Sequence, residues 1–331
     1  MINKSRLKIK SNQLGAAHKL LIVTVAAVMG FALIGSFKSG QGSASDNSSQ
    51  IKSGISGQCL DNYHSNAKAG AEVDGYNCNS TEAQSWTYSN FYLKHEGFCL
   101  SVENNSTSTS ANVVLNPCSQ DNPGQIWLGD DGLIYNPNSK LCLTEPNSSG
   151  GKQLVMAACA SPVPDTQTWS LPALDCQNVD ERGEKVACYA AQEWETWQTG
   201  SPSHENLLNS YTDGAPYEEW CADFVSYVYK EAGYPFTQGE TDGWDESNAN
   251  LVQNMGFTEH SLANYTPSAG DVGFFDYTGG HVEIVISGGT HPTFIYGNSA
   301  TIDPSTGNGE MEANTIVKDG SLGSLVNYLS P

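Results

Sequence analysis

Two residues in this chain have the type and setting for covalent chemistry, Cys221 and His281. The nine cysteines stand at positions 59, 78, 99, 118, 142, 159, 176, 188 and 221. The first eight fall into sequential pairs spaced 19, 19, 17 and 12 residues apart, which reads as four disulfides: Cys59–Cys78, Cys99–Cys118, Cys142–Cys159 and Cys176–Cys188. Cys221 is left over, and an unpaired thiol in an oxidising compartment is a liability unless it is used. Around it, YEEWCADFVSYVYKEAGYP carries Phe224, Val225, Val228 and Ala232 at helical spacing, with Gly233 just past the helix end and Pro235 beyond it. Pro216, Glu218 and Glu219 suit the start. Cys221 is therefore expected in the first turn. Backbone N–H groups and the positive end of the helix dipole favour a thiolate there, and a nearby imidazolium would favour it further.

A thiol nucleophile needs a base held within hydrogen-bond reach. Of seven histidines, His18 lies in a leader-like segment, and His64 and His95 lie in a repeat region. His204, His260 and His291 lie in polar stretches that read as solvated surface. His281 opens HVEIVIS, a strand that follows the turn Tyr277-Thr278-Gly279-Gly280, and PSAGDVGFFDY before the turn reads as its hairpin partner. A third strand, Thr293 to Tyr296, leads into Gly297-Asn298-Ser299. The Asn298 side-chain oxygen could accept the other imidazole N–H and orient the ring, giving a Cys-His-Asn arrangement. Glu283, two residues from His281, shares its strand face. It reads either as an acid supporting the ring or as an exposed charge on an edge strand.

These groups need a scaffold, and the remaining sequence outlines one. Lys4, Arg6, Lys8, Lys10 and Lys19 precede the apolar run Leu20 to Gly35, and small residues including Gly42 and Ala44 follow. That order reads as a secretory signal over 1–44, with an uncleaved anchor as the alternative. Removing it takes six basic residues and no acids, leaving nine basic against 36 acidic residues, a charge near −27. So acidic a chain is not expected to bind nucleic acid or anionic membranes.

From Ile51 to Leu171 a segment of about 40 residues repeats three times. Each copy has a Cys-Leu pair (Cys59-Leu60, Cys99-Leu100, Cys142-Leu143) and ends in Gln-x-Trp (Gln84-Ser85-Trp86, Gln125-Ile126-Trp127, Gln167-Thr168-Trp169). One copy is too small for a core, so three tryptophans filling a shared one imply a three-fold barrel of short strands. This register resembles the ricin B-type lectin family, a β-trefoil. The resemblance implies that an acid after Cys-Leu binds sugar hydroxyls and that an aromatic two residues before the second Cys stacks on the sugar. Asp61 and Tyr76 match in the first repeat, joined by Gln84. Ser101 and Asn116 stand there in the second repeat and Thr144 and Ala157 in the third, so only the first is expected to work. It departs from the family at Ala83, where an Asn often stands.

The second half resembles the CHAP family of cysteine- and histidine-dependent amidohydrolases and peptidases. The matching pieces are Trp220-Cys221-Ala222-Asp223-Phe224-Val225, Gly270-Asp271-Val272-Gly273-Phe274-Phe275, Gly280-His281-Val282 and Gly297-Asn298. The resemblance implies a papain-like α+β fold with Cys221 as nucleophile, His281 as base and Asn298 as orienter. Members often place Glu two residues before that Asn, where this chain has Tyr296, and Glu283 is read as a partial replacement.

The expected architecture is an all-β trefoil followed by an α+β papain-like domain: leader 1–44, trefoil 51–171, connector 172–184, hydrolase 185–331. A first helix is expected from about Glu184 to Trp197, and one or two peripheral strands after Thr301. The expected activity is hydrolysis of peptidoglycan, as an N-acetylmuramoyl-L-alanine amidase or an endopeptidase. A catalytically idle wall-binding lectin and a secreted cysteine protease acting on proteins are the alternatives. The expected partner is peptidoglycan or another cell-wall glycan, with no cofactor, no metal and no nucleic acid. The membrane enters only if the leader stays uncleaved, and a secreted monomer is expected.

Overall fold

The structure, a computed structural model, describes residues 48–147, 151–212, 220–236, 256–276, 280–297, 310–315 and 325–331. The expected leader, Pro216, Glu218, Glu219, the turn Tyr277-Thr278-Gly279 and Asn298 lie outside the described residues.

The N-terminal half contains ten strands among the described residues: β1 (Gln58–Asn62), β2 (Ala71–Asn77), β3 (Thr87–Ser89), β4 (Tyr92–His95), β5 (Phe98–Val102), β6 (Val113–Pro117), β7 (Leu128–Asp130), β8 (Leu133–Asn136), β9 (Leu141–Thr144) and β10 (Val155–Ala157). They form two antiparallel sheets, ordered β1-β2-β6-β5-β4-β3 and β10-β9-β8-β7. The repeat motifs explain the three-fold form. Trp86, Trp127 and Trp169 all fill one core, and each indole Nε1 donates to the Leu carbonyl of its own Cys-Leu pair, Leu60, Leu100 and Leu143, at 2.9–3.0 Å. Each Gln amide bridges the loop just before it. Its nitrogen donates to the carbonyl of Asn77, Pro117 or Ala158, and its oxygen accepts from the backbone of Asn79, Ser119 or Ala160. A buried indole and amide each need a partner, so Cys-Leu and Gln-x-Trp act as one device used three times. Disulfides Cys59–Cys78, Cys99–Cys118 and Cys142–Cys159 close each repeat.

The C-terminal half contains helices α1 (Arg182–Thr199), α2 (His204–Tyr211) and α3 (Cys221–Glu231) and strands β11 (Thr258–Ser261), β12 (Val272–Phe275), β13 (His281–Ser287), β14 (Thr293–Tyr296), β15 (Glu312–Thr315) and β16 (Leu325–Ser330). The sheet is antiparallel, ordered β11-β16-β12-β13-β14-β15. In α1 the Glu181 carboxylate caps the Glu184 N–H at 2.9 Å, Gly200 (φ 62°) ends the helix, and the Cys176–Cys188 disulfide ties the connector to it. Val186, Ala187, Ala190, Ala191, Trp194 and Trp197 form its buried stripe, joined by Phe224, Val225 and Val228 of α3 and by Val282, Ile284 and Ile286 of β13. On the other face of the sheet Phe275, Val285, Phe294, Leu325 and Tyr328 form a second cluster.

The two halves share one apolar core. Phe91, Tyr92, Ile126 and Leu128 pack into the cluster around α1, and the Tyr135 ring stacks on Trp194 at 5.7 Å. Asp121 accepts from the Thr290 N–H at 2.8 Å and from its hydroxyl at 3.0 Å.

Three expectations are corrected. His204 is exposed as expected, though it begins α2, where it stacks on Trp197 at 4.0 Å with Nε2 against the Trp197 carbonyl. His260 lies on β11, stacked on Tyr265 at 3.8 Å and bonded to Ser330 Oγ at 2.7 Å. The late strand β16 lies inside the sheet between β11 and β12, because Tyr328 and Leu329 need two covered faces. Glu283 is buried on the interior strand β13, which rules out an exposed edge charge.

Candidate active site and sugar site

Cys221 is the first residue of α3 and only 3% exposed. At that position no preceding helical turn supplies carbonyl partners for the first backbone N–H groups, and the positive end of the helix dipole lies beside the thiol. Trp220 precedes it and is wedged between the rings of Trp197 (5.4 Å) and Tyr211 (5.7 Å). Its ring lies flat on Gly297, where an added Cβ would sit 1.8 Å from Trp220 Cζ3. The β13–β14 register pairs Ile284 with Ile295, so the start of β13 and the end of β14 share one end of the sheet. That end carries His281 and Gly297, and Trp220 brings Cys221 to it. Asn298 follows Gly297, outside the described residues.

His281 is 7% exposed, and burial pushes its pKa down to about 4. The imidazole is therefore neutral at physiological pH, a proton acceptor. Tyr296 meets its ring edge-on at 5.4 Å, and the Tyr296 hydroxyl donates to Glu312 Oε2 at 3.0 Å.

Glu283 Oε1 lies 3.6 Å from His281 Nε2, beyond hydrogen-bond length. Burial and the charge of Glu312 push the Glu283 carboxyl well above its usual range. Distance alone would class this contact as an ion pair. Burial opposes both charges, lowering the His281 pKa and raising that of Glu283. Glu283 Oε2 has no hydrogen-bond partner among the described residues. Glu283 thus stands on the Nε2 side of the His281 ring, with burial favouring its protonated form.

The Gly270-Asp271 motif is structural. Tyr229 donates its hydroxyl to the Gly270 carbonyl, and Asp271 Oδ2 accepts from the Tyr265 hydroxyl at 2.7 Å and from the Ser268 N–H at 2.8 Å. These contacts pin the start of β12, the strand that pairs with β13.

In the first repeat Asp61 Oδ2 accepts from Gln84 Nε2 at 2.8 Å. Tyr76 is 48% exposed and pairs with Cys59 across the β1–β2 register, one step along the same face from the pair Asp61–Asp74. Asp61, Gln84 and Tyr76 are thus brought together. In the third repeat Thr144 takes the Asp61 position, and its hydroxyl accepts from Gln167 at 2.9 Å, a neutral version of the same contact. Sequence reasoning missed Asp74 and Glu145, which surround this site, and also Glu312 and the aromatic buttress of α2. Only strand register and packing bring them in.

Residues 47–169 match the family described as a ricin-type beta-trefoil lectin domain, and residues 210–298 match the CHAP domain family. The first segment is the all-β trefoil, and the second holds both helices and strands, consistent with a papain-like fold. Among solved structures, the designed three-fold symmetric protein ThreeFoil is similar at 29% identity over 36% of this chain and 94% of its own, with a TM-score of 0.33. The agglutinin from Abrus precatorius is similar at 24% identity, over 38% of this chain and 49% of its own, TM-score 0.34. The Vibrio vulnificus hemolysin β-trefoil lectin, with N-acetyl-D-lactosamine bound, is similar at 18% identity over 37% and 91%, TM-score 0.31. No curated protein matches. The CHAP match implies a hydrolase of the amidase or peptidase kind, and the lectin match implies carbohydrate binding.

Proposed function

We propose that this chain, which carries a ricin-type β-trefoil lectin domain followed by a CHAP domain, is a secreted bacterial peptidoglycan hydrolase. It cuts either the sugar–peptide amide or a bond within the peptide, and the first trefoil repeat holds a wall sugar through Asp61, Tyr76 and Gln84. One observation carries the reading: Cys221 heads α3 at the sheet end where β13 begins with His281.

In this mechanism the neutral imidazole takes the thiol proton on Nδ1 as sulfur attacks the amide carbonyl. Glu283 flanks Nε2, and Asn298 orients the ring from the segment after Gly297. Backbone N–H groups at the start of α3 stabilise the oxyanion. The imidazolium then protonates the leaving nitrogen, the C–N bond breaks and a thioester remains. Water, deprotonated by the same imidazole, attacks the thioester. The acid is released and the thiol regains its proton. Burial of His281 keeps its base form available from about pH 4 upward. Four disulfides support an extracellular setting, because such bonds persist in oxidising compartments.

The test is clearing of a peptidoglycan suspension, with mass spectrometry of the released fragments. Cys221→Ala and His281→Ala should each fall to background while sugar binding and melting temperature stay near wild type. Wild-type clearing by Cys221→Ala would overturn the mechanism. Cleavage of denatured protein with walls left intact would overturn the substrate.

A further inference from the structure

We propose that the first-repeat pocket takes a cationic sugar, a hexosamine whose amino group is free and protonated, with Asp61 and Asp74 as its counter-charge. This rests on the reading of Asp61, Tyr76 and Gln84 as a sugar site.

Asp61 and Asp74 stand directly opposite each other across the β1–β2 pair. Like charges in that relation repel. Asp74 is 2% exposed, and no side chain among the described residues donates to its carboxylate, whose one donor is its own backbone N–H. The charged groups that act on it are acids: Asp61 from β1, Glu145 just after β9, and Glu72 on its own strand. Glu145 lies against Gly75, on the face of β2 opposite Asp74 and Tyr76, and accepts from the Ser53 hydroxyl at 3.2 Å. The basic group facing this nest is His95 of β4. It acts on Asp61, and its ring nitrogens lie 3.0 Å from Asn62 Nδ2 and from the Ser85 carbonyl. Burial and these acids hold the Asp74 carboxyl up at about 7, so near neutral pH it shares its charge with a proton that a bound cation would displace.

A neutral sugar hydroxyl can donate one hydrogen bond here but leaves the excess negative charge in place. An ammonium group brings three donors and the missing positive charge. Tyr76 completes the argument. Its exposed ring lies on the same strand face as Asp74, where it offers a shelf to the apolar side of a pyranose and its π-face to an adjacent cation. Asp61 makes the direct contact, and Asp74, closed off from solvent, adds its charge from across the strand pair.

The test is calorimetric titration of the whole protein at pH 6.5 with a fully deacetylated glucosamine tetramer and with its N-acetylated counterpart. The deacetylated tetramer should bind at least about tenfold tighter, as expected for a charge-assisted contact in a partly buried site. Asp74→Asn, which keeps the shape and the fold, should bind both tetramers alike. Equal or tighter binding of the N-acetylated tetramer by wild type would overturn the proposal and leave the sugar-site reading standing. So would an undiminished amine preference in Asp74→Asn. Failure of wild type to bind either tetramer would overturn both.

Discussion

Replacing Gly297 with alanine tests how the active site is assembled without touching a reacting group. The added methyl would lie 1.8 Å from Trp220 Cζ3 and 2.4 Å from Cε3 and Cη2. Carbon atoms sit comfortably at about 3.5–4.0 Å, so the ring must retreat by roughly 2 Å or the end of β14 must lift. The ring has nowhere to go. It is fully buried, with Trp197 and Tyr211 stacked at 5.4 and 5.7 Å and Phe224 edge-on at 6.3 Å. Overpacking of this kind costs about 1–3 kcal/mol, a fall of several degrees in melting temperature. Cys221 is the next residue along the chain, and a misplacement of about 1 Å can cost about 100-fold in rate. Gly297→Ala is therefore expected to fold and bind sugar while losing on the order of 100-fold in peptidoglycan clearing. The assay is initial turbidity loss beside a thermal melt. A variant with wild-type clearing and an unchanged melt would refute the claim that Trp220 on Gly297 holds the thiol in place.

The pH profile should show the buried base. With its pKa lowered to about 4, His281 stays a proton acceptor at pH 5, and the acidic limb of kcat/KM should fall near 4; a limb near 6.5 would refute a buried, neutral imidazole. The same shift means that His281 contributes stability fully above about pH 6.5 and loses it as pH falls through about 4, so unfolding should become easier across that window unless His281 is replaced by Gln. Burial opposes the Glu283 charge, so Glu283→Gln, which keeps the shape but cannot ionise, should keep activity within a few-fold; a loss near that of His281→Ala would show that Glu283 works as a carboxylate. Replacing Cys176 and Cys188 by Ser removes a link that closes a 12-residue separation; by the chain-entropy argument it should cost about 2–3 kcal/mol in denaturant melts, and an unchanged midpoint would show that α1 needs no tether.

Much of this protein is written in local chemistry. Cysteine parity isolates Cys221, because disulfides come in pairs and a spare thiol stands out. Three Cys-Leu and Gln-x-Trp units mark the trefoil, because each buried indole and amide must satisfy its hydrogen bonds within its own repeat. The run from Phe224 to Ala232 marks α3, because period 3.6 is visible without a partner. What the sequence could not decide depends on which residues lie across from one another. Glu283 looks the same on an edge strand or an interior one, and only the strand order puts it on the strand between β12 and β14, where burial opposes its charge. His281 carries no mark of a lowered pKa, since that comes from burial, with Phe275 and Tyr296 closing on its ring from the neighbouring strands. Asp61 and Asp74 are 13 residues apart, and it is the β1–β2 register that sets them opposite each other. The α2 buttress stayed unseen because a helix of eight residues from His204 to Tyr211 is held by packing on Trp197 and Trp220 and not by its own propensity. Motif and periodicity are local properties and survive in a bare sequence, whereas burial, register and the electrostatics that follow from them exist only once the chain has folded.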